Sequence, residues 1–463
     1  MHSTTTEVTV AEPGKNTMRP APLDRPFYFI AVLWGERFRK YFLDYCVPSL
    51  LSPGNLPALN TSQPSKFLIA TRPEDWAAMA ETKIFQSLKR YVEPVFIEIP
   101  ACPPDRTGCQ HMGVGHRAAC GMAHRDKAFA AVLTPDCMLS DGSVARLQEL
   151  ARNGTELVLT AALRFGEEPF LAHLREQGVL TDEDRAKSGT PLVIPGRQMV
   201  YAAVNGFHSE TLAYEWDAPG ILVISPAAWW RVPGEDGIVL HSLSWAPLLL
   251  DYAAVDDHDI STFDQWTLDG DYLFNNAGKI KKIHVVQDSD EIFLASWAPL
   301  ADRPVTKYRL PFEKLIAGNL FKRSFYCNFF DPLKRELFFK PVRWHSKALN
   351  AQWDIIEQRA MRELAPWVGP SEKGNTLTAR KAAGPRRLVD EGKNLVISVL
   401  ASVVLVWIYR RRIPVYAKSV IRGDREAVRR IAWFVRFFGL GFVFGKASIG
   451  IPRVSRAKPG AGQ

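Results

Sequence analysis

Residues 128–142 read AFAAVLTPDCMLSDG, and this stretch decides the fold of the chain. Its first six residues, Ala128 to Leu133, are all small or apolar. A short unbroken apolar run is typical of a strand that is buried on both faces of a parallel sheet. Pro135 has no N–H to donate, so strand pairing ends there. The pattern therefore predicts Asp136 just past the carboxyl end of a central strand, at the edge where open α/β sheets hold their ligands.

Similar apolar runs lie on either side of this strand, and helical patterns separate them. We predict strands at 27–34, 66–71, 92–99, 128–133 and 156–164, with helices at 37–51, 74–91, 114–125 and 143–152. Further along, we predict helices at 167–177 and 196–205, a loop at 181–187, a strand at 221–225 and helices near 312–320 and 346–364. Strands that alternate with helices imply crossover connections. The predicted fold class is α/β, with a doubly wound, mostly parallel sheet.

The composition is that of a globular protein, and the charge is unevenly distributed. Hydrophobic residues make up 47% of the chain and charged residues 23%. The six cysteines contain no C-x-x-C pair, which favours reduced thiols in a cytosolic compartment. Residues 371–463 hold 19 Lys or Arg and 5 Asp or Glu, so the overall charge of +9 leaves −5 for residues 1–370. A nucleic-acid partner is not expected, because the folded body is not basic.

The basic tail also contains apolar runs. Residues 395–409, LVISVLASVVLVWIY, carry no charge and are followed by Arg410-Arg411-Arg412. As a helix they would span about 22 Å, which is shorter than the hydrocarbon core of about 30 Å. A second apolar run occupies 431–444. We expect an interfacial or shallowly inserted anchor with its arginines on anionic headgroups. A helical pair buried on the main domain and a single full span are the alternatives.

The turn after the fourth strand, together with the strand order, resembles the GT-A fold of nucleotide-sugar-dependent glycosyltransferases. That fold ends its strand in Leu-Asp-X-Asp, and here the stretch reads Leu133-Thr134-Pro135-Asp136. The second aspartate is matched and the first is a threonine. The stretch GHRAACGMAHRD also resembles the family helix that carries nucleotide-facing residues. The resemblance extends over residues 27–276 and implies a sugar transferase that uses a nucleotide-sugar donor.

The resemblance implies a donor site along the carboxyl edge of the sheet. Asp136 would bind the diphosphate, through Mg²⁺ or Mn²⁺ if a metal is present. Whether a metal is required stays open, because two carboxylates hold a divalent ion better than one. His116 and Arg117, taken to lie at a helix N-terminus, would contact phosphate. Trp34 and Arg72, which follow the first two strands, would contact the base and the ribose.

Two further histidine-containing patterns are candidates for metal binding. His241, in VLHSLSWAP, is a third metal ligand, a phosphate contact or a buried core histidine. A mixed group could form a zinc site, but its spacing lacks the close ligand pairs of known zinc sites. Its members are Cys102, Cys109, His111, His116, Cys120 and His124. Asp141 is interpreted as a helix N-cap and is left out of the site.

A late acidic pair completes the expected site. Residues 258–274 read HDISTFDQWTLDGDYLF and place Asp269 and Asp271 on either side of Gly270, close to Trp266. Inverting members of the GT-A group use a late acid near a tryptophan as general base. Such a base takes the proton from the acceptor hydroxyl during attack on the anomeric carbon. Both acids are candidates for the catalytic base, and we favour Asp269 over Asp271; the other acid of the pair would cap the helix that follows.

The sequence therefore predicts a membrane-associated glycosyltransferase at the cytoplasmic face of the plasma membrane. It would transfer a sugar to a lipid-linked or surface-glycan acceptor. A non-catalytic nucleotide- or sugar-binding protein is the alternative, and Thr134 favours it. A nucleotidyltransferase is also possible, although WGERFRKYF is not a glycine-rich phosphate loop. The predicted segments are a leader at 1–24, a catalytic domain at 25–290, an aromatic-rich helical extension at 291–369, a linker at 370–393 and the tail at 394–463.

Overall fold

A computed structural model of the chain describes residues 21–368, apart from 223–224, 265–266, 269, 277–279, 310–312, 314–315, 319 and 322–331. For residues 271, 274, 332 and 368 only the backbone is described. The predicted leader lies almost wholly outside the described residues, and the linker and the tail lie entirely outside them. None of the described helices is long and apolar enough to cross a bilayer.

The strands are β1 Phe27–Val32, β2 Lys66–Thr71, β3 Glu93–Glu98, β4 Phe129–Leu133, β5 Cys137–Leu139, β6 Leu157–Ala161, β7 Arg164–Gly166, β8 Ala227–Arg231, β9 Gly237–Ser242, β10 Trp245–Asp251, β11 Ile283–Val285, β12 Leu294–Ala298 and β13 Val342–His345. The α-helices are α1 Glu36–Tyr41, α2 Val47–Leu50, α3 Pro73–Ala80, α4 Lys83–Leu88, α5 Gly108–Arg125, α6 Ser143–Arg152, α7 Glu167–Glu176, α8 Arg185–Ser188, α9 Gly196–Asn205, α10 Ser209–Leu212, α11 Gly270–Asn276, α12 Pro332–Phe338 and α13 Ala351–Val368. A π-helical turn, Phe42–Cys46, joins α1 to α2.

The central sheet has the strand order β11-β6-β10-β4-β1-β2-β3. Its strands are parallel except β10, which runs antiparallel to both β4 and β6. The predicted α/β class with a doubly wound, mostly parallel sheet is confirmed. Because the parallel strands share one direction, the carboxyl ends of β1, β2, β4, β6 and β11 lie along the same edge.

The sheet is buried on both faces because alternate residues of its strands point to opposite sides. On β1, Tyr28 and Ile30 belong to one hydrophobic cluster, and Phe27 and Phe29 belong to the other. Helix α5 packs closely on one of these faces. A Cβ added at Gly115 would lie 2.7 Å from the Cβ of Ala70, so only glycine permits this approach.

The predicted start of this helix at residue 114 was too late. Helix α5 begins at Gly108 because Thr107 and Gln110 form a capping box. The Thr107 side chain accepts from the Gln110 N–H, and the Gln110 side chain accepts from the Thr107 N–H. Capping satisfies donors that the first turn of a helix leaves without partners. Two additional turns of helix therefore precede His116.

Three other local predictions differ from the structure. The helix predicted over 74–91 is two helices, α3 and α4, because the Thr82 side chain caps a new start by accepting from the Phe85 N–H. The described residues of 221–225 do not form the predicted strand. Ile221 forms only an isolated β-bridge with Tyr308. The loop predicted at 181–187 contains the beginning of α8.

The segment predicted as a helical extension also contributes strands to two smaller sheets. Strand β12 lies between β5 and β7, and β13 pairs with β9, which pairs with β8. Helix α13 overlaps the predicted range near 346–364 but begins and ends about one turn later, and its Trp353 belongs to the same hydrophobic cluster as Trp230 of β8. In the helix predicted near 312–320, the described residues 313, 316–318 and 320 are helical, so the prediction is confirmed for them.

Candidate functional site

Asp136 lies where the sequence places it, immediately after β4 at the carboxyl edge of the central sheet. Its side chain is half-buried. Its backbone carbonyl accepts a hydrogen bond from the N–H of Trp297, with an N–O distance of 3.2 Å. Strand β12 therefore forms one side of the surroundings of Asp136.

The donors and positive charges near the Asp136 carboxyl group do not fully offset the cost of burying its charge. Burial raises its pKa, while the Thr134 hydroxyl, the Asp136 N–H and the charges of Arg164 and Arg37 act in the opposite direction. Both arginines contact other acids: Arg37 lies 3.3 Å from Asp302, and Arg164 lies 3.3 Å from Glu210. Within the described part of the chain, no cationic side chain is within ion-pair distance of Asp136. A buried acid with a perturbed pKa in such surroundings is a candidate functional group.

An aromatic wall stands beside this acid. The Trp297 ring packs edge-on against Tyr41 at 5.8 Å and Tyr45 at 5.5 Å between centroids. The Tyr41 hydroxyl donates a hydrogen bond to Glu167, which contributes together with burial to a raised Tyr41 pKa. Among the described residues, the buried indole N–H of Trp297 has no hydrogen-bond partner. The wall therefore combines apolar ring surface with one unused donor. Sequence reasoning missed it, because its members come from distant elements.

Trp34 and Arg72 follow β1 and β2 at the same edge, as expected. Trp34 packs edge-on against His111, with ring centroids 5.3 Å apart. The His111 Nε2 is 2.8 Å from the Pro100 carbonyl, so in the neutral ring that nitrogen carries the proton. Arg72 Nη1 is 3.9 Å from Glu74, and its buried Nε has no partner among the described residues. The proposed contacts of Trp34 and Arg72 with base and ribose stay predictions.

His116 and Arg117 lie in the middle of α5, not at its N-terminus. His116 is 3% exposed, its Nδ1 accepts from the Thr267 hydroxyl at 3.0 Å, and its ring stacks on Phe263. Burial lowers its pKa to about 3, so the ring is neutral at pH 7. Arg117 forms an ion pair with Asp264. The helix-N-terminus argument for phosphate binding therefore does not apply to either residue.

These contacts instead hold the segment that leads to the late acidic pair. Asp269 lies outside the described residues, and Asp271 is described only as backbone of α11. The neighbouring Tyr272 is anchored by hydrogen bonds to the Tyr252 hydroxyl at 2.8 Å and to His258 Nε2 at 2.7 Å. The general-base role of Asp269 and the capping role of Asp271 stay predictions.

His241 is in the interior of the sheet formed by β8, β9 and β13. It is 0% exposed, and its Nδ1 donates to the Phe338 carbonyl at 3.0 Å. Its ring lies among those of Trp230 and Phe338, and burial lowers its pKa. This is the geometry of the core-histidine alternative, so His241 is not included in the site that we build around Asp136.

One other group of side chains has the geometry to hold a metal ion. Asp288, Asp290 and His345 bring potential ligand atoms within 4.8 Å of one another, and among the described residues no other such group occurs. The cysteines and histidines of residues 102–124 therefore do not converge, and the described cysteines are free thiols. The Asp-Ser-Asp pattern directly after β11 was a signal for this group, and the sequence analysis did not use it.

The side chains of Asp288, Asp290 and His345 already have hydrogen-bond partners within the protein. His345 Nε2 is 2.7 Å from an Asp288 oxygen, and His345 Nδ1 is 2.7 Å from the Lys347 carbonyl. Burial lowers the pKa of His345, but these hydrogen bonds outweigh it and the net pKa is raised. His345 in turn lowers the pKa of Asp288. Arg197 donates to both oxygens of Asp290. The group can exist as an ion pair or accept a cation in place of the proton.

The chain is thus an α/β protein that presents a half-buried acid with a raised pKa at the carboxyl edge of its sheet. No family model and no curated protein matches it. It is similar to a solved structure of a putative glucose-1-phosphate thymidylyltransferase from Bacillus anthracis, at 12% identity over 31% of this chain and 57% of that chain, with a TM-score of 0.20. It is also similar to S. aureus TarS, at 9% identity over 39% of this chain and 34% of that chain, with a TM-score of 0.21. The chain spans less than two thirds of either protein.

Proposed function

We propose that the chain is a glycosyltransferase that moves a sugar from a nucleotide-sugar donor to a lipid-linked or surface-glycan acceptor. The observation that carries the proposal is Asp136, half-buried after the fourth parallel strand with a raised pKa. Partial burial of a carboxylate that has hydrogen bonds but no close ion pair costs free energy, so stability alone does not account for this acid. Its position at the carboxyl edge of an open α/β sheet supports a role in ligand binding.

In this proposal Asp136 faces the donor diphosphate. A carboxylate repels a diphosphate unless a cation lies between them. Asp136 and Thr134 offer two oxygen ligands, which fit Mg²⁺ or Mn²⁺ when the diphosphate supplies the others. A bound ion would supply charge neutralisation to the leaving group. Arg37 and Arg164 would add positive charge on the protein side, where charge develops as the glycosidic bond breaks.

The acceptor side of the proposal depends on Asp269. As general base it would take the proton of the acceptor hydroxyl, and the transfer would be inverting. The contact between His116 and Thr267 supports this role, because it fixes the residues directly before Asp269 against α5. The basic tail at 394–463 would hold the enzyme at the inner face of the plasma membrane, where lipid-linked acceptors are found.

Thermal melting with a panel of nucleotide sugars, with and without Mn²⁺, tests donor binding without knowledge of the acceptor. Release of nucleoside diphosphate then tests transfer. We expect Asp136→Asn to lose donor stabilisation and to lower the release rate about 100-fold or more. Glu93→Gln is the matched control, because it neutralises an exposed acid at the opposite edge of the sheet. An Asp136→Asn variant that releases nucleoside diphosphate as fast as the wild type would contradict the proposal.

A non-catalytic nucleotide- or sugar-binding protein is the second candidate, and Thr134 is the observation that favours it. The first acid of the Leu-Asp-X-Asp pattern is missing here, so a metal ion would be held less firmly. The same assay separates the two functions. A binding protein would bind the donor without releasing nucleoside diphosphate. Asp136→Asn would abolish that binding, and Asp269→Asn would have no effect on it.

A further inference from the structure

A cleft of about 580 Å³ lies beside α1. Helix α1 places Glu36, Arg39 and Lys40 along this cleft, whereas Arg37 of the same helix acts on Asp136. The opposite side is formed by the end of α7 and by residues 180–187. The volume is within the usual range of small-molecule sites.

The first residue of α8, Arg185, lines this cleft with an almost fully buried side chain. The residue is 5% exposed. Its Nη2 donates to the Thr181 hydroxyl at 3.4 Å, and its buried Nε has no hydrogen-bond partner among the described residues. Within that part of the chain, no carboxylate lies within 4.0 Å of its guanidinium. The charges of Asp44 and Glu183 interact with that of Arg185, but neither acid forms a hydrogen bond or a close ion pair with it. A buried guanidinium whose Nε lacks an acceptor is costly, so the position favours an anion that would supply one.

The acids around the cleft are engaged elsewhere. Asp184 caps α8 and forms an ion pair with Lys187 at 2.8 Å. Glu183 accepts from the Thr190 hydroxyl at 2.8 Å. Asp44 accepts from the Ala186 N–H at 3.3 Å, and burial raises the pKa of Asp44. None of these carboxylates is in contact with Arg185.

A second guanidinium and a phenol complete the lining. Arg175, in the last turn of α7, lies 4.0 Å from Asp182, whose side chain is fully exposed. Tyr45 also lines the cleft, and its ring packs against Trp297 beside Asp136. The planar donors of arginine match the oxygens of phosphate and carboxylate groups.

We propose that this cleft binds a small anionic ligand through a phosphate or carboxylate group held by Arg185, with Arg175 at the mouth. The proposal does not depend on the proposed transferase activity, because none of the residues that line the cleft is assigned to the donor site. Both groups carry oxygens that a guanidinium binds in the same way. A phosphate ester and a carboxylic acid are therefore distinguished by experiment.

Thermal melting of the full chain in inorganic phosphate and in citrate, each against sodium chloride at equal ionic strength, tests the proposal. Phosphate and citrate also stabilise proteins non-specifically, and that contribution does not saturate and is shared by all variants. We expect a saturable rise of the melting temperature in the wild type with one of these anions. In Arg185→Gln the apparent affinity should fall at least tenfold. Saturation with phosphate alone assigns a phosphate ester, and saturation with citrate alone assigns a carboxylate.

Lys187→Gln is the matched control, since it removes the same charge from the same cleft at a residue that is paired with Asp184. It should keep the wild-type response. Asp44→Asn removes a negative charge from the lining of the cleft and should strengthen binding. If Arg185→Gln does not fold, Arg175→Gln at the exposed mouth should weaken binding several-fold. An unchanged response in Arg185→Gln and Arg175→Gln, or no saturable response of the wild type to either anion, would overturn the proposal.

Discussion

Asp136 and Asp288 both follow parallel strands of one sheet, but their surroundings differ. Asp288, after β11, accepts from His345 and from the Asp290 N–H at 2.8 Å, and its pKa is lowered. Asp136, after β4, is held by no ion pair among the described residues, and burial raises its pKa. Position at a sheet edge therefore does not distinguish a functional acid from a structural one. The electrostatic balance of the carboxyl group separates the two acids and makes Asp136 the stronger candidate for a functional role.

The largest expected effect on stability is at Asp136. Asp136→Asn should increase the free energy of unfolding by about 1 kcal/mol at pH 7, because it removes a half-buried charge that has hydrogen bonds but no ion pair among the described residues. The folded-state pKa is raised, so the unfavourable contribution is present above that pKa and disappears below the unfolded value of about 3.9. Denaturant unfolding at pH 7 and pH 4 measures the difference, which should shrink as the pH falls. A destabilised Asp136→Asn variant would remove the contrast with Asp288.

Asp288→Asn should instead decrease the free energy of unfolding. The loss should be no more than about 1 kcal/mol, because solvent screens the half-exposed carboxylate. The Asp288 contribution is present above about pH 3.9 and is lost as the pH falls through its lowered folded pKa. The His345 contribution is present below about pH 6.5 and is lost as the pH rises through its raised folded pKa. The wild type and the variant should therefore differ most near pH 5 in thermal melts. A difference that grows towards pH 9 would contradict the ion pair.

The smallest expected effect is the response of the Asp288, Asp290 and His345 group to Mn²⁺. A bound ion needs a neutral imidazole, so stabilisation by Mn²⁺ should increase from pH 5.5 to pH 8, the reverse of the ion-pair trend. Thermal melts with and without Mn²⁺ at both pH values measure it. His345→Gln should abolish the response and Asp136→Asn should retain it. The same Mn²⁺ shift in His345→Gln would place the ion elsewhere.

The sequence predicted the elements whose signals are local. Strand β2 and helices α6 and α9 have the predicted bounds, because apolar periodicity and flanking breakers define them without help from distant residues. Strand β10 was missed. It contains Pro247 in the interior of a seven-stranded sheet, where proline argues against a strand, and the structure accommodates it with a bulge before Leu249. The short strands β12 and β13 depend on pairing across long separations, which no local pattern reveals.

The candidate site was predictable only in part for the same reason. The position of Asp136 follows from an apolar run and a proline. The neighbours that determine its charge state, Arg37, Arg164 and Trp297, come from three separate regions of the chain. His116 and His241 are neutral because the folded chain buries them. The local sequence around a histidine does not reveal such burial.

Strand β12 has a practical consequence for anyone who shortens this chain. A fragment that stops at residue 290 would keep every strand of the parallel sheet, yet it would lack the middle strand of the β5-β12-β7 sheet. Backbone groups of Cys137–Leu139 and Arg164–Gly166 would lose their partners on both sides of Asp136. Expression boundaries for a minimal ligand-binding piece therefore belong after residue 298, because an earlier cut would open the rim that shapes the site.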